Sequence, residues 1–215
     1  MTRVLWYSNM SFVGTGYGAQ TALTTKAMQA DGHAVAICSN YGLHGTKIEW
    51  DGITAYPGGY DAWSNDVVGL HARDWFRGEP GWIISLADVW VLQGPAWEQN
   101  RVASWVPIDH TPVPPKVADF FVRTGAVPIA MAKFGQEELA RIGIEAHYAP
   151  HGIDTGLFRR VDEFQGQPVR DVFGIHGDAF VVGMNAANKG TYKIRKSFPQ
   201  AFAAFSVFAK RHSDA

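Results

Sequence analysis

The sequence predicts an α/β fold in which a parallel sheet carries helices on both of its faces. Short apolar runs alternate with segments of helical periodicity, which is the pattern of repeated β-α-β units. Apolar residues make up 47% of the 215, enough for a sizeable core. We expect a first domain over residues 1–165 and the beginning of a second, incomplete domain over residues 166–215.

The first β-α-β unit is predicted at the start of the chain. Residues 4–8 and 34–39 are short apolar runs and are predicted to be strands. Residues 17–31 between them have Ala19, Leu23 and Ala27 at helical spacing, which predicts a helix. Gly32 follows it, as expected of a residue that tolerates the left-handed end of a helix.

The middle of the chain predicts further elements of both kinds. The dipeptide Asp51-Gly52 favours a turn between two short strands. Further strands are predicted over 82–86, 103–108, 128–132 and 147–149, and helices over 67–73 and 134–142. The run PVPP at 112–115 is expected to be a loop, because proline is excluded from a helix interior.

The alternation of apolar runs and helical segments starts again after residue 165. Residues 179–183, AFVVG, are predicted to be a strand and residues 197–210 a helix. That helix has one apolar stripe: Phe198, Ala201, Phe202, Phe205 and Phe208. One strand cannot cover such a stripe, so we expect the sequence to be part of a larger protein. A second domain of ~150–200 residues would bring the mass of the natural product to about twice 23.6 kDa.

Charge and cysteine content narrow the class of protein. Nineteen Lys and Arg residues oppose 20 Asp and Glu residues, so no basic surface for nucleic acid is predicted. The single cysteine, Cys38, has no partner for an internal disulfide. The N-terminus lacks the layout of a signal peptide and no apolar stretch approaches 18 residues, which predicts a cytoplasmic protein.

Gly14, Gly16 and Gly18 stand between the first strand and the first helix. Such a loop offers backbone N–H groups to a phosphate at the positive end of the helix dipole. Gly14-x-Gly16-x-x-Ala19 also fits a relaxed dinucleotide pattern, typical of an NAD(P)-dependent oxidoreductase. Against that reading, the loop after Ser8 is long and the second strand ends in Cys38-Ser39-Asn40, without an acid for the ribose. The glycines also fit a tight bend without any ligand.

Five segments of the chain, taken together, resemble the motifs of a known enzyme family. In order they are TGYGAQT with ADGHAVAICS, WVPIDHTPVPP, PIAMAKFGQEELARIGI, APHGIDTGLF, and VVGMNAANKGTYKIRKSFPQAFAAF. In order and spacing they resemble family 4 of the GT-B glycosyltransferases, over almost the whole chain. The resemblance implies two Rossmann-like domains, an acceptor-side one followed by a donor-side one. Ala132 and His151 depart from the common Ser and Asn. This sequence lacks most of the donor-side half of the family's fold, with its Glu-rich motif, so the isolated chain is not expected to act alone.

The resemblance implies sugar transfer, with retention, from a nucleoside-diphosphate sugar to an acceptor hydroxyl, without metal or cofactor. Arg195 and Lys196, with Lys189 as a weaker candidate, would neutralise the leaving diphosphate. Gly14, Gly16 and Gly18 would approach the phosphates or the acceptor from across the cleft. The acceptor class stays open among glycan, lipid, protein and modified nucleobase.

Three polar residues follow predicted strands, where open α/β sheets bind ligands. Asp109 and His110 are candidate catalytic residues, with His110 on the sugar or acceptor and Asp109 on the acceptor. Neighbours on a strand point to opposite faces, so we do not expect them to form one relay. Asp88 is expected to line the same cleft or to cap a helix.

Four tryptophans are assigned mainly to the core: Trp82, Trp90, Trp97 and Trp105. Trp90 and Trp97 are the candidates for exposure near the cleft. Asp154 is expected to brace the link between the two domains.

Two other readings remain open. The chain fits a non-catalytic binding module that pairs with a partner through the 198–208 Phe stripe. It also fits, less well, the NAD(P)-dependent oxidoreductase.

Overall fold

A computed structural model describes residues 1–186 and 196–212 of the 215-residue chain. These residues divide into two units, Met1–Leu157 and Phe158–Ala215. The start of a second domain at residue 166 remains a prediction. No helix among the described residues is long and apolar enough to cross a lipid bilayer.

The first unit is an α/β structure built on one eight-stranded sheet, as the sequence predicts. Its strands are β1 (Arg3–Asn9), β2 (Ala34–Tyr41), β3 (Ile48–Trp50), β4 (Ile53–Tyr56), β5 (Gly81–Leu86), β6 (Val102–Val106), β7 (Val127–Ala130) and β8 (His147–Tyr148). Their order across the sheet is β3-β4-β2-β1-β5-β6-β7-β8. All neighbouring pairs are parallel except β3–β4, which form the hairpin expected around Asp51-Gly52.

Helices cover both faces of this sheet. They are α1 (Gly16–Ala30), α2 (Val68–Phe76), α3 (Ala96–Gln99), α4 (Pro115–Thr124) and α5 (Lys133–Arg141). On β1, Leu5 and Tyr7 pack into the core formed with α2 to α5. Val4 and Trp6 face the opposite way, into a smaller cluster with residues of α1. The alternation of side chains along a strand therefore places α1 alone on one face and the other four helices on the other.

The proline-rich run 112–115 was expected to be a loop, and this is wrong at its last residue. Pro115 is the first residue of α4, where its missing N–H has no intrahelical partner to lose. The helix itself was missed, although Val117, Phe120 and Phe121 supply a buried stripe at helical spacing. The Thr111–Pro112 peptide bond before it is cis.

The second unit contains few elements among its described residues. β9 (Glu163–Phe164) and β10 (Gln167–Pro168) form a short antiparallel hairpin, followed by α6 (Val169–Val172) and the expected long helix α7 (Phe198–Arg211). The strand predicted over 179–183 is not formed. Phe180, Val181 and Val182 are exposed there, and no strand of the described chain pairs with them. An apolar run alone does not make a strand, because its backbone needs a neighbour.

We predict that Gly18→Ala destabilises the first unit and that Gly16→Ala does not. A Cβ atom at Gly18 would lie 2.2 Å from the Val13 carbonyl oxygen and 2.9 Å from that of Met10, whereas at Gly16 no atom lies within 4 Å. Backbone cannot yield as a side chain can, so Gly18→Ala is expected to cost about 1–3 kcal/mol. Gly16→Ala is expected to be neutral or stabilising by up to about 1 kcal/mol. Urea unfolding of both variants measures the difference, and equal midpoints would contradict the close approach.

Candidate functional site

The carboxyl ends of the parallel strands lie along one edge of the sheet, and β1 marks a reversal in strand order. From β1 the chain passes through α1 to β2 on one side, and β5 lies on the other side of β1. Connections that leave in opposite directions open a crevice at this point, the usual ligand site of open α/β sheets. The predicted glycine loop follows β1, Asp88 follows β5, and Asp109 with His110 follows β6.

The glycine loop ends in a well-formed helix start. Thr15 is the N-cap of α1, and its hydroxyl oxygen accepts a hydrogen bond from the Gly18 N–H at 3.0 Å. Asn9 Nδ2 donates to the same oxygen at 2.8 Å, which ties the end of β1 to the helix. The first turn of α1 has no acidic residue, so the positive end of the helix dipole is not neutralised there.

The three glycines have different surroundings. Gly14 and Gly16 are exposed, and a ligand can approach their backbone closely. Gly18 is buried, and packing against the backbone of the preceding loop is sufficient reason for a glycine at that position.

A second set of predicted residues shares one cleft of about 500 Å³. We call it the carboxyl-edge cleft; among its lining residues are Asp88, Trp90, Asp109, His110, Pro114 and Lys116. Trp90 is 50% exposed, whereas Trp97, the other candidate for exposure, is fully buried. Rigid proline and tryptophan surfaces with a few convergent polar groups are typical of small-molecule sites.

Asp109 and His110 contact each other, contrary to the expectation that their side chains diverge. Asp109 Oδ1 lies 2.5 Å from His110 Nδ1, and both side chains are exposed. Strand β6 ends at Val106, so these residues stand in a loop to which strand alternation does not apply. A carboxylate on Nδ1 holds the imidazole ring and leaves Nε2 for another partner.

Asp88 is held in an environment that disfavours its charge. It precedes a single 3₁₀ turn, Val89–Val91, but its side chain makes no capping hydrogen bond. Burial, and then the negative charge of Asp109, raise the pKa of Asp88 above its usual value. Of the two expectations for Asp88, cleft lining and helix capping, the first therefore agrees with the structure.

Tyr17 belongs to the same electrostatic environment, and sequence reasoning missed it. Burial, then Asp88 and Asp109, raise the pKa of Tyr17 to about 12. The residue stands in the first turn of α1, where it packs against the apolar cluster that contains Leu86 and Trp105. In the sequence it is one more residue of a helical segment, and its position directly after Gly16 was the available signal.

Two buried polar atoms at this edge have no hydrogen-bond partner within the described chain. They are Ser11 Oγ, in the loop after β1, and Asn40 Oδ1, near the end of β2. Buried polar atoms without partners are uncommon in folded proteins and call for a physical explanation. Both atoms lie near the carboxyl ends of the neighbouring strands β1 and β2.

The remaining predicted residues lie elsewhere. Lys196 is an exposed residue of the second unit, just before α7. Lys189 and Arg195 lie outside the described residues. The Asp154 carboxylate accepts hydrogen bonds from the backbone N–H groups of Gly156 and Leu157 at 2.9 and 3.3 Å, and its role in bracing a link between two domains stays a prediction.

Within the described residues, no group of three or more His, Cys, Asp or Glu side chains is arranged to hold a metal ion. Comparison with protein-family models gives no match, and comparison with curated proteins gives no significant one.

We predict that Asp88→Asn stabilises the protein at neutral pH. Because the pKa of Asp88 is raised in the folded state, ionisation of the carboxyl group costs folding free energy. Below the ordinary Asp pKa of about 3.9 the group is protonated in both states and the cost vanishes. The cost grows as the pH rises towards the pKa that Asp88 has in the folded protein, and it is constant above that pKa. Asparagine never ionises, so the variant does not have this cost.

Urea midpoints of wild type and Asp88→Asn between pH 4 and 8 measure this effect. The variant should be the more stable at pH 7, and the difference should shrink towards pH 4. Glu137→Gln, at an exposed position of α5, is the control and should show no such trend. A gain from Asp88→Asn that does not depend on pH would contradict the raised pKa.

Proposed function

We propose that this chain is the acceptor-side part of a retaining GT-B glycosyltransferase. The complete enzyme would transfer a sugar from a nucleoside-diphosphate sugar to a hydroxyl group of an acceptor. The observation that carries the proposal is the carboxyl-edge cleft, where Asp88, Asp109 and His110 converge close to the start of α1. The five segments of family resemblance are the second line of support.

The start of α1 suits the phosphate side of such a donor. Gly14 and Gly16 expose backbone beside the N-terminus of a 15-residue helix, whose first turn has no acidic residue. Unpaired N–H groups at that position favour negative charge. The resemblance adds Lys189, Arg195 and Lys196 as further neutralising groups, and the reaction requires no cofactor besides the sugar nucleotide.

The carboxyl-edge cleft suits the acceptor. Asp109 accepts a hydrogen bond from a hydroxyl group, and His110 offers Nε2 while Asp109 holds its Nδ1. In the transfer step the bond between the anomeric carbon and the diphosphate oxygen breaks, and its electron pair leaves with the diphosphate. The acceptor oxygen forms the new bond to that carbon on the same face, and its proton passes to the leaving diphosphate. Asp109 and His110 orient the hydroxyl group for this step.

An NAD(P)-dependent oxidoreductase receives less support. Strand β2 ends in Ser39, Asn40 and Tyr41, without the acid that would bind the ribose hydroxyls of NAD. The loop of β1 also runs through six residues before α1 begins at Gly16. The dinucleotide turn is tighter than this.

A non-catalytic binding module is the second candidate, and one observation favours it. Phe202, Phe205 and Phe208 of α7 are 68%, 43% and 40% exposed. An exposed aromatic stripe is typical of a surface that pairs with another chain. Such a module would bind its partner and would transfer no sugar.

We predict that a nucleotide sugar binds this protein and that NAD(P) does not. At about 100 times its dissociation constant a ligand stabilises by about 2.7 kcal/mol, which corresponds to a rise in Tm of about 5–11 °C for a protein of this size. Thermal unfolding with UDP-glucose, GDP-mannose, NAD and NADP measures it. A rise with NAD(P) alone would favour the oxidoreductase.

The same assay tests the basic residue that is described in the second unit. Lys196→Ala should weaken nucleotide-sugar binding, because a positive charge facing the diphosphate is lost. Lys210→Ala removes an equally exposed lysine from the far end of α7 and is the control. Equal affinities for the two variants would remove Lys196 from the site.

We further predict that His110→Gln and Asp109→Asn lower the rate of sugar transfer by about 100-fold, the usual effect of losing correct orientation. Donor affinity should stay unchanged, because both residues face the acceptor. His147→Gln, at an exposed histidine of β8, is the matched control. The rate is measured as the nucleoside diphosphate that the complete enzyme releases with a panel of acceptors. NMR then gives the anomeric configuration of the new linkage. Inversion would contradict the retaining mechanism.

A further inference from the structure

Glu138 is a buried carboxylate that the proposed mechanism does not use. It lies on α5 and is only 2% exposed. Its Oε2 accepts a hydrogen bond from the Thr111 hydroxyl group at 2.9 Å, and its Oε1 pairs with the guanidinium group of Arg141. Ionised groups are rarely buried unless they are paired, because burial costs them hydration. Glu138 meets this condition through Arg141, and its second oxygen is free to hold Thr111.

The same face of α5 makes a second close contact with the segment after β6. An added Cβ atom at Gly135 would lie 2.9 Å from Ile108 Cβ, so only glycine lets the helix approach this closely. Gly135 and Glu138 are three residues apart and share one face of the helix. They meet Ile108 and Thr111, the two residues that flank Asp109 and His110 in the sequence.

The Gly135–Ile108 packing and the Glu138–Thr111 hydrogen bond flank two side chains that have few contacts of their own. The side chains of Asp109 and His110 are 80% and 68% exposed, and their contact is with each other. The loop that carries them is held on one side by packing and on the other by a hydrogen bond to a charged oxygen. Such charge-assisted bonds are shorter, stronger and more directional than neutral ones.

A role limited to stability does not explain this arrangement well. Buried ion pairs contribute little net stability compared with apolar residues of similar size. Arg141 is largely exposed, and Glu138 directs its other oxygen to a neutral hydroxyl group of an exposed loop. The carboxylate is therefore better suited to fixing the position of that loop.

We propose that Glu138 is a positioning residue, which holds Thr111 from the buried face of α5 and thereby keeps Asp109 and His110 in contact at the mouth of the carboxyl-edge cleft. The part that concerns catalysis rests on the proposed function. The part that concerns the Asp109–His110 contact does not.

The test compares Thr111→Val with Thr111→Ser. Valine keeps the shape of threonine and removes the hydroxyl donor, whereas serine keeps the donor. Thr111 is exposed, so both variants are expected to fold, and circular dichroism checks this. Glu138→Gln is the partner variant: it removes the charge, and its single amide oxygen replaces two carboxylate oxygens, each of which accepts from one donor.

The readout that does not need activity is the NMR signal of the His110 ring in histidine-labelled protein, assigned with His110→Gln. Asp109→Asn should move the His110 Nδ1 and Cε1 resonances. Thr111→Val should move them towards the Asp109→Asn positions, Glu138→Gln should move them in the same direction, and Thr111→Ser should leave them in place. In the transfer assay, Thr111→Val should lower kcat by about 10- to 100-fold, with the donor KM unchanged.

The outcomes separate the two proposals. Unchanged His110 resonances in Thr111→Val, or in Asp109→Asn, would overturn the positioning role. Equal shifts in the valine and serine variants would overturn it too, because the hydroxyl donor would then be irrelevant. If the resonances move as expected and the wild type transfers no sugar, the positioning role stands and the glycosyltransferase proposal fails.

Discussion

The parallel pairing of β1 with β2 on one side and with β5 on the other fixes where the helices and the loops of the first unit lie. Since parallel strands must be joined by long crossovers, the chain crosses one face of the sheet through α1 and leaves the other face to α2–α5. Strand order reverses at β1, and the loops beyond the strands diverge there. The Ser8 hydroxyl group donates to the Leu86 carbonyl oxygen at 2.8 Å, which ties β1 to β5 next to the crevice.

The carboxyl edge of the sheet carries polar groups whose surroundings cost folding free energy. Asp88 and Tyr17 are held where their charged forms are disfavoured, and Asn40 has a buried oxygen without a partner in the described chain. Groups of this kind lower stability and are more frequent at functional sites than elsewhere in proteins. The largely apolar cleft of about 390 Å³ on the α1 face, lined by residues such as Trp6, Ile84 and Trp105, is a contrast. It has few polar side chains that converge. The two clefts therefore differ in the polarity of their lining, and shape alone does not distinguish them.

Most elements of the first unit were predictable, because their signals are local. Apolar runs bounded by turns predicted the strands, and the spacing of apolar residues predicted α1, α2 and α5 to within a few residues. The errors have physical causes. Pro115 was read as a helix breaker, although the first helical position tolerates proline. Residues 179–183 have the composition of a strand without a pairing partner among the described residues. The side chains of Asp109 and His110 were assumed to obey strand alternation beyond the end of the strand.

The fold class and the polar residues that follow the strands could be predicted from local sequence patterns, since period, turn chemistry and composition act over a few neighbours. Tertiary structure alone decided which of those residues meet. Asp88, Asp109 and Tyr17 come from three separate segments, and only the order of strands in the sheet brings their charges within reach of one another. The bond between Thr111 and Glu138 likewise joins residues 27 positions apart. No local pattern encodes such contacts, because strand order is set by the packing of the whole domain.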